Sequence, residues 1–106
     1  MVNWLLAVES ECNDPAREDE FKEWYEKTHF TDVMETPGFI KATLYELVQP
    51  TDGKAKFIAI YEIAAEDIDT VMETHQENMK NKREAGRFSS LTSVLSRGVY
   101  KQTGSG

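Results

Sequence analysis

The order of apolar and polar positions divides the chain into six elements. Residues 2–8 (VNWLLAV) form a short, almost unbroken apolar run, the pattern of a strand covered on both faces, with Trp4, Leu6 and Val8 on one side. The polar residues 9–13 predict a loop. From Asp14 the period becomes helical, with Phe21, Trp24, Tyr25 and Thr28 on one face, and predicts a helix over 14–29. Asp14 suits the N-cap and Pro15 the first helical position, while Glu18, Asp19 and Glu20 suit the positive end of the helix dipole. A further helical turn is expected over 31–35, and Pro37-Gly38 then reverses the chain.

Residues 39–48 alternate, with Ile40, Ala42 and Leu44 opposite Lys41, Thr43 and Tyr45. Pro50-Thr51-Asp52-Gly53 predicts a hairpin connection into a strand over 56–64. On that strand Phe57, Ala59, Tyr61 and Ile63 share one face, and Ile58, Ile60 and Glu62 the other. Ile68, Val71, Met72, His75 and Met79 recur at helical spacing within a second helix over 66–85, with Gly86 as its C-cap. A last strand is expected over 91–101, with Gly98 as a possible bulge. The glycine-rich tail, 102–106, is expected to be mobile.

The order β-α-β-β-α-β defines the α+β fold class. It predicts one ferredoxin-like domain over 1–101, a four-stranded antiparallel sheet with both helices on one face. The other face of that sheet would carry apolar side chains drawn from sets such as Thr43, Tyr45, Ala59 and Tyr61 or their alternates. A symmetric dimer, sheet against sheet, would cover them.

Composition narrows the function. Nineteen acidic residues against twelve basic ones give a formal charge of −7, which opposes binding to nucleic-acid phosphates. The strand KFIAIYEIA also lacks the aromatic and basic pattern of RNA-recognition motifs. Cys12 is the only cysteine, so no intrachain disulfide forms; a reducing, cytoplasmic setting is expected. No apolar run is long enough for a membrane span. Two histidines far apart in sequence, one cysteine and scattered carboxylates make no metal-binding motif, and no metal or cofactor is expected.

The candidate chemistry gathers at the end of the first helix. His29 stands one turn after Tyr25, and Asp32 three residues further on is positioned to hydrogen-bond one ring nitrogen. That bond would fix the tautomer and leave the other nitrogen as a base. His75, on an apolar helix face, reads as a structural histidine, and Cys12 as a loop cysteine.

The stretch DPAREDEFKEWYEKTHFTDVMETPGF followed by IKATLYEL resembles the EthD-like family of the dimeric α/β-barrel superfamily. Asp14-Pro15, Trp24-Tyr25, His29, Asp32, Pro37-Gly38-Phe39 and Ile60-Tyr61-Glu62 carry the resemblance. It implies a homodimer closing into a barrel, with His29 facing an interior pocket for a small hydrophobic or aromatic ligand.

The first expectation is therefore a cofactor-independent enzyme for dehydration, decarboxylation, cyclisation or isomerisation of a small aromatic or polyketide-like molecule. His29 and Asp32 would be its catalytic residues, and Trp4, Trp24, Tyr25, Phe39, Tyr45 and Tyr61 would contact substrate. The alternative is a non-catalytic small-molecule-binding or assembly protein built on the same dimeric barrel.

Overall fold

The computed structural model describes residues 1–106. Four strands, β1 (Val2–Cys12), β2 (Phe39–Glu46), β3 (Phe57–Ala65) and β4 (Thr92–Lys101), make one antiparallel sheet in the order β2-β3-β1-β4. Between β1 and β2 the chain forms a 3-10 turn (Pro15–Arg17), helix α1 (Glu18–Trp24), a π-helical segment (Tyr25–His29) and helix α2 (Phe30–Val33). Helix α3 (Ile68–Glu84) joins β3 to β4. This is the ferredoxin-like α+β arrangement.

β1 runs four residues beyond the expected strand. Ser10, Glu11 and Cys12 pair with Val94, Ser93 and Thr92 of β4 after a register shift between Glu9 and Ser10. Pairing along the sheet thus overrides the polarity of residues 9–13. Asp14 caps as expected, accepting from the Ala16 N–H. Asp67, expected inside the second helix, is instead the N-cap of α3 and accepts from the N–H groups of Asp69 and Thr70. Gly38 closes the turn before β2 with φ +102°, a left-handed conformation that disfavours a side chain.

The strand register sorts the side chains. Leu6 and Val8 of β1, Ala59 and Tyr61 of β3, Ala42 and Leu44 of β2, and Arg97 and Val99 of β4 occupy one set of paired positions. On this face Leu6, Phe57, Ala59, Tyr61 and Ile63 are buried with Phe21, Tyr25 and Val33 from the first helical stretch and Met79 from α3. Ala59 and Tyr61, both almost completely buried, therefore belong to the core rather than to the uncovered face. The uncovered face carries Leu5, Thr43, Tyr45, Ile58, Ile60 and Tyr100. Tyr45 and Tyr100 are each about half exposed there.

Candidate functional site

The helices do not press flat on the sheet throughout. Between α3, the π segment and the β1–β4 half of the sheet lies a cavity of about 470 Å³. Its floor is Leu6 and Val8 of β1, Tyr61 of β3 and Val99 of β4. Trp24, Tyr25 and His29 wall one side, and Met72, His75, Gln76 and Met79 of α3 wall the other. Phe88 and Ser89, from the segment after α3, close one end. A mostly apolar chamber with few polar groups is the usual form of a small-molecule site.

The π register shapes this site. In an α-helix five residues advance about 1.4 turns, which sends side chains i and i+5 to different faces. The i→i+5 bonding of the π segment brings them together. Trp24 and His29 accordingly stack, with ring centroids 4.6 Å apart and planes at 17°. His29 also meets Tyr25 edge-on at 5.4 Å and Phe88 at 5.4 Å. Tyr25 reaches the sheet, where its hydroxyl hydrogen-bonds the Ser10 hydroxyl at 3.1 Å.

A latch holds the segment that closes the cavity. The Trp24 indole N–H donates to the Arg87 carbonyl at 2.9 Å, and Arg87 Nε donates to Asp32 Oδ2 at 2.7 Å. The Asn78 amide donates to the Asp32 carbonyl and to Thr36 Oγ1, tying α3 to α2.

The expected role of Asp32 therefore changes. Its buried carboxylate is engaged by the Arg87 guanidinium and forms no hydrogen bond to His29. The aromatic packing of the imidazole, rather than a carboxylate, sets its orientation. Among the expected substrate contacts, Trp24, Tyr25 and Tyr61 line the cavity, but Trp4, Phe39 and Tyr45 do not. Trp4 donates its indole N–H to the Ala65 carbonyl. Phe39 is core, stacked on His75 at 4.9 Å. Tyr45 lies on the opposite face of the sheet, because its position on β2 is out of phase with Ala42 and Leu44.

His75, read from sequence as structural, shares the cavity with His29. Burial lowers the His29 pKa from 6.5 to about 4, aided by nearby His75 and Arg97 and opposed by Asp32. Burial also lowers His75 to about 4, again with help from Arg97. Both imidazoles are neutral at pH 7. Burial raises the Tyr61 phenol well above its ordinary value, with Tyr25 adding to the effect and Arg97 opposing it, so Tyr61 keeps its proton. Two buried side-chain polar atoms in the chain lack a hydrogen-bond partner, His75 Nδ1 and Thr92 Oγ1. Both belong to residues that line this cavity. A folded chain seldom leaves such groups unpaired, because each costs free energy.

No group of three or more His, Cys, Asp or Glu side chains converges on a possible metal position. No helix is long and apolar enough to cross a membrane.

Sheet order, helix placement and the helix-side cavity define the class: a ferredoxin-like α+β domain with a chamber between its sheet and its helices. Residues 5–97 match DUF4286, a domain of unknown function, and the chain belongs to that family. Similar solved structures include HapK from Hahella chejuensis, at 14% identity and TM-score 0.73 over 97% of this chain and 95% of that one. An EthD-family protein from Bacillus halodurans matches at 18% identity and TM-score 0.59 over 97% and 100%. SnoaB from Streptomyces nogalater, described as a cofactor-independent oxygenase, matches at 13% identity and TM-score 0.61 over 98% and 94%. At these identities the likeness is one of fold. No relative was found among curated proteins.

Proposed function

We propose that the chain is a cofactor-independent enzyme that performs acid–base chemistry on a small, largely apolar molecule held in the His29 cavity. The observation that carries this reading is the pairing of a partly open, largely apolar chamber with buried polar groups on its lining residues that find no partner in the fold, His75 Nδ1 and Thr92 Oγ1. In this reading neutral His29 accepts a proton from a carbon next to a carbonyl. The Tyr61 phenol, whose ring centre stands 6.5 Å from that of His29, donates a hydrogen bond to the carbonyl oxygen as it gains charge. The resulting enolate is the common entry to elimination, cyclisation and isomerisation. Trp24 and Phe88 supply flat apolar walls suited to an aromatic or polyketide-like body.

The active form in this proposal is a homodimer. The uncovered sheet face, with Leu5, Tyr45, Ile60 and Tyr100, is apolar enough to pack on its own copy. The cavity lies on the helix side, so each subunit would carry one.

The test is solvent exchange. In D2O the protein should accelerate deuterium uptake next to the carbonyl of 2-tetralone, a neutral bicyclic ketone of suitable size. His29→Ala should reduce that acceleration by about 100-fold or more, while native mass spectrometry shows the same dimer as the parent. Undiminished exchange in the variant would remove His29 from the chemistry.

One observation favours a second reading. An imidazole whose pKa is near 4 is a weak base at neutral pH, and it serves equally well as a hydrogen-bond acceptor in a binding protein. A ligand that is retained and returned unchanged would support that function instead.

A further inference from the structure

We infer that the molecule taken into the cavity is an apolar carboxylate whose negative end is held at the mouth by Arg97. This inference rests on the cavity's being the binding site, not on the reaction proposed there.

The argument begins with charge. Nineteen of the 106 residues are acidic and the chain carries a formal charge of −7. None of the eighteen residues that line the cavity is Asp or Glu, yet two are Arg. Asp32, the carboxylate whose charge acts on His29, is held by Arg87. The cavity is thus a cationic enclave in an acidic protein. A mouth of one sign attracts ligands of the other, and low-dielectric walls strengthen that field.

The two arginines are not equivalent. Arg83 lies over the Phe88 ring, 4.5 Å from its centre. Arg97 forms no ion pair with any carboxylate of the chain; every other cation–carboxylate contact within 4.0 Å uses a different partner. The β1–β4 register places Arg97 opposite Val8, on the face that forms the cavity floor. Its field reaches His29, His75, Tyr25 and Tyr61, the titratable groups around the chamber. Arg83 also lacks an ion pair but is engaged by the Phe88 ring, whereas Arg97 is exposed with neither a carboxylate nor a ring against it. Its paired N–H donors fit a carboxylate fork, which matches a molecule with one planar anionic group. Held there, the apolar body would extend inward between Trp24 and Met72 toward His29.

The probes are 2-naphthoate and its neutral isostere 2-naphthamide, titrated at pH 7 and low salt by calorimetry, with the dimer state monitored. Naphthoate should bind about tenfold more tightly, and added salt should narrow the difference. Arg97→Gln should abolish the preference, with naphthoate binding weakened more than amide binding. Arg97→Lys, which keeps the charge, should retain part of it. Equal binding of the two probes, no binding of either at millimolar concentration, or a preference that survives in Arg97→Gln would each overturn the inference. Its failure is separable from that of the proposed reaction: exchange into neutral 2-tetralone does not require an anion, and naphthoate binding does not require turnover.

Discussion

His29 and His75 illustrate how much a residue's meaning depends on the partners that folding brings. In sequence they lie on different helices; in the structure they face one chamber. Burial there lowers the tendency of each to hold a proton, and His75 adds to the effect on His29. The consequence for stability has a definite sign. Each imidazole has a folded pKa near 4 against an ordinary value of 6.5. Between those values the unfolded chain binds protons that the folded chain refuses, so stability is full above pH 6.5 and falls as pH drops towards 4. Urea unfolding across this window should show a loss of order 1–3 kcal/mol per imidazole. His29→Phe/His75→Phe should flatten the profile above pH 4.5, and an unchanged slope would contradict the assigned burial. His29 was legible from its spacing to Tyr25. The role expected of Asp32 was not, because its actual partner, Arg87, lies 55 residues away.

At the level of elements, caps, turns and period predicted every strand and helix. The reading missed the π register of residues Tyr25–His29 and the extension of β1 to Cys12. Neither has a local signature. The π register brings Trp24 over His29, and the extension is made by pairing with β4. The face carrying Tyr61 was also ambiguous, since both sides of β3 are apolar and only packing against the helices distinguishes them. The segment after α3 depends on the latch through Arg87. Arg87→Ala would leave the buried Asp32 carboxylate without its partner and should lower the urea midpoint. Asp32→Asn, which keeps a hydrogen-bonding oxygen and removes the charge, should cost less. The reverse order would mean that the pair does not hold the segment.

At the scale of the molecule, the sheet separates two tasks. Its helix-side face forms the core and the cavity, while its other face leaves Tyr45, Ile60 and Tyr100 without covering helices, the surface the proposed dimer would use. The fold class followed from element order, and the presence of a second apolar sheet face from the strand periods, although Ala59 and Tyr61 lie on the covered one. The cavity's cationic lining did not, since it is assembled from α3 and β4, which carry no motif. The proposed function requires that cavity to accept a ligand beside two buried, neutral imidazoles. The protein has only two histidines and both line it, so a histidine-selective NMR spectrum reports on the site alone. With isotope-labelled histidine, neither ring should show the shift of protonation as pH falls from 7 to 5, and both should move when 2-naphthoate is added. Rings that titrate near 6.5 and ignore the ligand would contradict the account.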